Sequence, residues 1–516
     1  MNTIAPDVAM LEDIHPMILS KLLENVRVTK MFQTLYGRMV VTHDVEVRRI
    51  QYDSRKVERG DMFVAIRGAG KDGHTFIASA IENGAKVIIV DDDGAMPDSF
   101  FMHAGVVKVV VANTRVALAT IAANYFNHPA AKLTMVGVTG TNGKTTTTHL
   151  MKSILETHGW KTGLLGTIEY RIGDEIFPAT HTTPESLELH ELLSTMVNSE
   201  CRSAVMEVSS HALEQHRVEG IGFQAAAFTN LTQDHLDYHV TMDEYFNAKK
   251  MLFEQLHPDS WAIVNVDDEW GKKMIESTKA RTISYSALLP ADLQAKQISL
   301  SMQGTTFTVV HRGEETMIES SLIGRFNVSN ILAAFGMGIA LGIPKATVRQ
   351  GIRETHTVRG RFERIVSPKG WTAVIDYAHT PDALHKALMA VHDVFDASQR
   401  GRIITVFGCG GNRDRGKRPK MAGIATTASD ITIVTSDNPR HEDPELIIDE
   451  IMTGVQIGKK VYRESDRAKA IRKGLELAMP GDVILIAGKG HEDYQVIGDK
   501  KIHFSDREVV EECIRS

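Results

Sequence analysis

The sequence predicts an α/β protein of three domains, in which a central parallel sheet ends in a phosphate-binding loop and a Rossmann-like layer follows it. Three observations lead there. At 516 residues the chain exceeds what one core can hold, and roughly 150 residues per domain gives about three. Short apolar strand-like runs alternate with helical stretches along the whole chain, the pattern of layered α/β units. The third is the segment Val136 to Thr148, VGVTGTNGKTTTT, where an apolar strand runs into a glycine-bearing loop that opens a helix.

Strand-like runs in the first segment, at Asp61 to Ile66, Lys86 to Val90 and Val106 to Val111, alternate with helical stretches at His74 to Glu82 and Thr114 to Phe126. Asn127-His128-Pro129 breaks the chain, because proline disfavours helix in the residue before it. The first domain is therefore expected over 1–130. Strands at Lys161 to Leu165, Ala204 to Val208, Ala225 to Thr229 and Trp261 to Val266 continue the second, and their unbroken apolar character suits a sheet buried on both faces. Thr282 to Val310 changes to short alternating pieces, read as an antiparallel extension. This domain is expected over 131–357. In the third, 358–516, strands at Thr372 to Asp376, Arg402 to Phe407, Asp430 to Thr435 and Asp482 to Ile486 each finish in a polar cluster. Ligands of parallel sheets collect at the carboxyl ends of strands, so four such clusters describe a second site.

The loop Gly140-Thr141-Asn142-Gly143-Lys144-Thr145-Thr146 is an anion site by construction: backbone N–H groups and a helix N-terminus converge, and the lysine and hydroxyls supply a phosphate clamp and a Mg²⁺ ligand. It reads as an ATP site. The common G-x-x-x-x-G-K-[ST] pattern fails by one residue, since it requires glycine at Val138.

The net charge of −7 argues against a nucleic-acid partner. Cys201, Cys409 and Cys513 are too few and too scattered for a disulfide framework or a metal cluster, which fits a reducing compartment. The first twenty residues hold acids at Asp7, Glu12 and Asp13 and no lysine or arginine, so a secretory signal lacks its positive end. The longest apolar run, Ile331 to Ile343, stops at Pro344, too short for a bilayer span. A cytoplasmic location without a membrane span is expected, and a monomer.

Linked motifs in order along the chain resemble the Mur ligase family: Asp53-Ser54-Arg55, TGTNGKTTTT, His181-Thr182-Thr183-Pro184, MEVSSHALEQHRV from Met206, TNLTQDHLDYH from Thr229, Ala248-Lys249, GRFE at Gly360, DYAHTPD at Asp376, GCGGNRDRGKRP at Gly408, DNPR at Asp437 and GKGHEDYQ at Gly488. The resemblance implies a three-domain Mur ligase architecture, with UDP-MurNAc-binding, ATP-binding and amino-acid-binding domains in that order. It implies an ATP-dependent amide ligase of peptidoglycan synthesis working through an acyl phosphate. Its substrates would be ATP, UDP-MurNAc-L-Ala-D-Glu and meso-diaminopimelate.

By the same resemblance Lys144 holds the phosphates, and Thr145, Glu207, His235 and a carbamylated Lys249 serve Mg²⁺. Ser54, Thr182, Thr183, Ser209, Gln215 and Arg217 bind the uridine nucleotide. Arg413, Asp437, Asn438, Pro439, Arg440, Gly488 and Glu492 bind diaminopimelate. Family members with Asp-Asn-Pro-Arg add diaminopimelate, and the chemistry agrees: its far carboxylate suits a planar guanidinium, whereas lysine presents an ammonium there. The rival readings are a Mur ligase adding L-lysine, a folylpolyglutamate synthetase-like ligase, and a nucleotide-dependent switch without ligase activity.

Overall fold

The computed structural model describes residues 16–32, 34–35, 38–39, 45–68, 70–394 and 401–515. Asp7, Glu12 and Asp13 lie outside them. The chain forms two compact units: Met1–Met135 with Arg171–Ala204 and Val208–Phe223, and Val136–Tyr170 with Val205–Glu207 and Gln224–Ser516. Among the described residues no helix is long and apolar enough to cross a membrane.

In the first unit a five-stranded sheet runs in the order Val28–Phe32, Val107–Val111, Val87–Val90, Met62–Val64, Ile50–Gln51. Only its first strand is antiparallel. Successive strand residues face opposite sides, so Val87 and Ile89 enter one core with the helix residues Leu118 and Ile121, while Ile88 and Val90 enter another with Ile77 and Phe101. The stretch expected as helix from His74 opens instead as a 3-10 turn, Gly73–Phe76, before the helix Ile77–Glu82. Asp72 accepts from the His74 N–H at 3.0 Å, and such a short cap favours the tighter turn.

In the second unit, strand Thr134–Thr139 leads to the glycine loop and helix Lys144–Thr157. That helix packs with Arg325–Ala340 and Lys345–Glu354 over one core containing Val136, Ile154, Ile331 and Val348. Phe223–Phe228, Trp261–Asn265 and Arg281–Ser286 pair in parallel. Leu293–Ser301 pairs in parallel with the last of these and starts an antiparallel meander with Gly304–His311 and Glu314–Ser320. The antiparallel extension therefore begins after Ser286, later than the Thr282 that the sequence suggested.

A separate six-stranded sheet runs Glu363–Val366, Thr372–Asp376, Val483–Ala487, Ile403–Cys409, Ile431–Ser436, Lys460–Arg463. All but the first strand are parallel. The loops after Asp376, Cys409, Ser436 and Ala487 thus leave the same edge. The protein is α/β throughout.

Candidate functional site

The glycine loop is braced from three sides within the second unit. The hydroxyl of Thr229 and the amide of Asn230 donate to the Asn142 carbonyl at 2.6 and 3.1 Å, and the Asn142 N–H donates to Asn230 Oδ1 at 3.0 Å. Gly140 has φ 145° and Gly143 φ 88°. A Cβ at Gly140 would lie 1.9 Å from Thr229 Oγ1, and one at Gly143 2.3 Å from Asn330 Oδ1. Left-handed backbone and close approach both demand glycine there.

Lys144 folds over the loop, donating to the carbonyls of Gly140 and Thr141 at 2.8 and 2.9 Å. Lys249, buried on helix Met242–Glu254, donates to the same Gly140 carbonyl at 3.0 Å and stands 4.5 Å from the Tyr245 ring centre. Burial pulls the Lys249 amine well below the ordinary lysine value, and the neighbouring Lys144 adds to it. Lys144 is lowered too, by burial against the pull of Glu207 and Asp234. Glu207 ends strand Ser203–Glu207, 1% exposed. Its two oxygens accept from the N–H and hydroxyl of Thr167 at 2.8 and 2.9 Å. His235 sits in left-handed backbone before helix Leu236–His239, 3.4 Å from Asp234 and edge-on to Tyr245. Although the side chain is 45% exposed, desolvation of the ring and the nearby Lys249 and Lys144 lower its pKa to about 4, against the pull of Asp234.

The segment after Gly360 reaches this loop. Arg361 Nη2 donates to the buried Thr145 hydroxyl at 3.1 Å, with its guanidinium 4.6 Å from the Tyr377 ring centre. Asp382 accepts from the Asn142 amide and the Thr232 hydroxyl at 3.1 and 3.2 Å. Thr146 is buried on the first turn of the loop's helix.

At the C-terminal sheet edge, Lys489 is 0% exposed and stands 3.4, 3.2 and 3.0 Å from Asp437 Oδ1, Asn438 Oδ1 and Glu492 Oε2. Asn438 Nδ2 also donates to Glu492, at 2.9 Å. Arg440 holds φ 53°; its N–H donates to the Val496 carbonyl at 3.0 Å and its Nη1 to the Gly411 carbonyl at 2.8 Å. A Cβ at Gly410 would lie 2.9 Å from Arg440 Nη1 and 4.0 Å from Arg413 Cγ, so both arginines flank that glycine. Pro439 accepts the N–H of Glu442, and Gly488 takes φ 120° beside Asp437. Below the loops Arg418, 0% exposed, pairs with Glu442 and Glu450, and Arg467 makes a buried fork with Asp506 at 2.7 and 2.8 Å while donating to the Ala487 carbonyl.

In the first unit, Thr183 Oγ1 accepts from the Ser209 N–H at 3.0 Å, and Ser209 Oγ caps the helix Ser210–Glu214. Arg217 donates to the Thr183 carbonyl and Gln215 Oε1 at 2.9 and 2.8 Å and pairs with Glu185. Thr182 is half-buried beside them. Ser54 opens a 3-10 turn capped by Asp53, and its carbonyl accepts from Asn83. The candidate residues therefore fall into three groups: the loop group with Glu207, His235 and Lys249; the Asp437-to-Arg440 group with Gly488, Glu492 and Arg413; and the first-unit group. Lys489, Tyr245, Asn330 and Asp382 had no role in the sequence reading. Lys489 had a usable signal, a lysine between two glycines inside a cluster already singled out.

The chain matches the Mur ligase family catalytic domain over residues 46–126, the Mur ligase middle domain over 138–338 and the Mur ligase glutamate ligase domain over 360–490. It is 45% identical over 473 residues to the UDP-N-acetylmuramoyl-L-alanyl-D-glutamate--2,6-diaminopimelate ligase of Clostridium tetani, covering 91% of this chain and 95% of that one. The enzyme of the same description from Cytophaga hutchinsonii is also 45% identical, with the same coverage. A solved structure of a UDP-N-acetylmuramoyl-L-alanyl-D-glutamate--2,6-diaminopimelate ligase superposes with TM-score 0.65 at 32% identity, over 91% of this chain and 95% of that one. With all three family domains in order and relatives this similar along nearly its whole length, the chain belongs to the Mur ligase family.

Proposed function

We propose that this protein joins meso-2,6-diaminopimelate to UDP-N-acetylmuramoyl-L-alanyl-D-glutamate, using ATP and an acyl phosphate, in peptidoglycan biosynthesis. Residues 1–130 carry the nucleotide-peptide function, 131–357 the ATP function and 358–516 the amino-acid function. The observation that carries the choice of amino acid is Arg440, whose guanidinium is anchored to the Gly411 carbonyl at the strand-end edge where ligands of parallel sheets bind.

Acyl-phosphate chemistry concentrates negative charge that must be neutralised. Lys144 and the amides of Gly140 to Thr146 grip the phosphates, and Arg361, held on Thr145, brings a second cation from the following segment. Ser54, Thr182, Thr183, Ser209, Gln215 and Arg217 hold the nucleotide peptide. Arg440 and Arg413 receive the far carboxylate of diaminopimelate, with Asp437, Asn438, Pro439, Gly488 and Glu492 around its amino end.

Mg²⁺ fits the donor set, because the Glu207 carboxylate and Thr145 hydroxyl are hard oxygens. Among the described residues no three acid, histidine or cysteine side chains form a cage; Glu207 and Thr145 would hold the ion against the nucleotide phosphates. When bound, the ion screens the phosphate charge. Lys249 as an ammonium would repel it; its lowered pKa eases loss of the ammonium proton, the free amine adds CO2 with release of one N–H proton to solvent, and the resulting carbamate and His235 are the further ligands proposed. The protein works as a cytoplasmic monomer on small molecules. Phosphate release from ATP with the nucleotide dipeptide and each candidate amino acid tests the reading, and release with lysine but not diaminopimelate overturns it.

A further inference from the structure

The residues assigned to the nucleotide peptide come from separated stretches of the first unit, Ser54 on one side and 182–183 with 209–217 on the other, and a single helix start ties both. Glu185, just before helix Ser186–Asn198, pairs with Arg217 and, at 2.9 Å, with Arg115. Arg115 in turn donates to the Arg67 carbonyl at 3.1 and 2.9 Å. One turn later Glu188 Oε1 accepts from the Tyr52 hydroxyl at 2.5 Å. Tyr52 immediately precedes Asp53-Ser54, and its ring and Leu187 pack against the same apolar core.

We infer that Glu188 is a positioning residue for the nucleotide substrate: by holding the Tyr52 hydroxyl it fixes the Ser54 turn at a set distance from the Thr183–Arg217 group anchored through Glu185. Geometry supports this over a chance surface contact. Glu185 is the N-cap and Glu188 lies in the first turn of the same helix, so the two carboxylates act from one helix start on the two stretches. Partial burial raises the Glu188 pKa. A part-buried polar pair is costly to break, because each partner left alone keeps the desolvation penalty of its buried part. The Ser54 turn is also held by Asn83, which donates to the Ser54 carbonyl, and by the pairing of the preceding strand with Met62–Phe63, neither of which reaches Arg217.

This rests on the reading that Ser54, Thr183 and Arg217 bind the uridine nucleotide. Full-length parent, Tyr52→Phe, Glu188→Gln and Glu188→Ala should be compared by calorimetric binding of UDP-MurNAc-L-Ala-D-Glu, by steady-state kinetics and by thermal melting. Tyr52→Phe removes only the hydroxyl. The expected result is an about tenfold rise in the dissociation constant and KM for the nucleotide dipeptide in Tyr52→Phe and Glu188→Ala, with kcat and the KM for ATP within about twofold. Glu188→Gln, which keeps an acceptor, should recover most of the affinity. Parent-like binding in both Tyr52→Phe and Glu188→Ala, even if melting falls, overturns the inference alone. A parent that does not bind the nucleotide dipeptide overturns the underlying reading and the inference with it.

Discussion

Lys144 and Lys249 donate to one and the same carbonyl oxygen, that of Gly140, at 2.8 and 3.0 Å. Burial lowers the pKa of both amines, and for Lys249 the charge of Lys144 adds to it. The arrangement favours losing one of the two positive charges, and the more deeply buried Lys249 is the one to lose it.

If Lys249 works as a carbamate, Lys249→Ala should abolish turnover with the fold intact. Added short carboxylic acids should restore part of the activity by supplying the missing oxygen, and added amines should not. Phosphate release in the presence of each additive checks this, with a circular dichroism spectrum to confirm folding.

Arg440 should set the amino-acid preference. Hydrogen bonds to charged groups are worth about 1.5–3 kcal/mol, so Arg440→Ala should lower kcat/KM for diaminopimelate on the order of a hundredfold. The KM for ATP should hardly change, since Lys144 lies in another sheet's loop. L-Lysine should be a poor substrate of the parent, because its far ammonium meets a like charge. Specificity constants for both amino acids decide it.

Arg361 should matter through its charge at the phosphate loop, where it sits on Thr145. Removing one preorganised donor from a charge-developing centre costs on the order of a hundredfold in kcat, so Arg361→Ala should show that loss while ATP still binds. Because Arg361 and Asp382 join the segment after Gly360 to the loop, substrates should tighten this arrangement. Small-angle scattering with and without all substrates reads it, and an unchanged radius of gyration would count against closure about Gly360.

Asp376 gives a pH-dependent prediction. Burial raises its carboxyl from 3.8 to about 6, against the attraction of Arg361. The folded state therefore holds a proton that the unfolded state gives up between about pH 4 and pH 6. Stability from this group is fully present below pH 4 and is lost as pH rises through about 6. Asp376→Asn keeps an acceptor for the Phe362 N–H, which donates to Asp376 at 2.7 Å. It should stabilise the fold at pH 8 by up to about 3 kcal/mol, with the gain vanishing toward pH 4, as measured by melting across that range.

Much of the architecture was legible because local patterns dictate it. A strand, a glycine loop and Lys144 in sequence can only make one kind of turn, and the polar clusters after Asp376, Cys409, Ser436 and Ala487 needed only parallel pairing to meet at one edge. What was not legible depends on distant partners. Asp382 looks like an ordinary helix-start acid until it accepts from Asn142, 240 positions away. Asn330 looks like a helix-interior polar residue until its amide oxygen is found filling the space where a Cβ of Gly143 would stand. The late start of the antiparallel strands was missed because the parallel Tyr285–Leu293 pairing leaves no mark in local alternation.

The fork between Arg467 and Asp506 reaches further than its own packing. Asp506 is the first residue of the last helix, Asp506–Arg515, while Arg467 donates to the Ala487 carbonyl, next to Gly488. This helix is thereby tied to the strand end beneath the loops proposed to bind the amino acid. Removing that helix would strand a buried guanidinium beneath the loops proposed to hold the amino acid, so helix Asp506–Arg515 would support that proposed site as well as the fold.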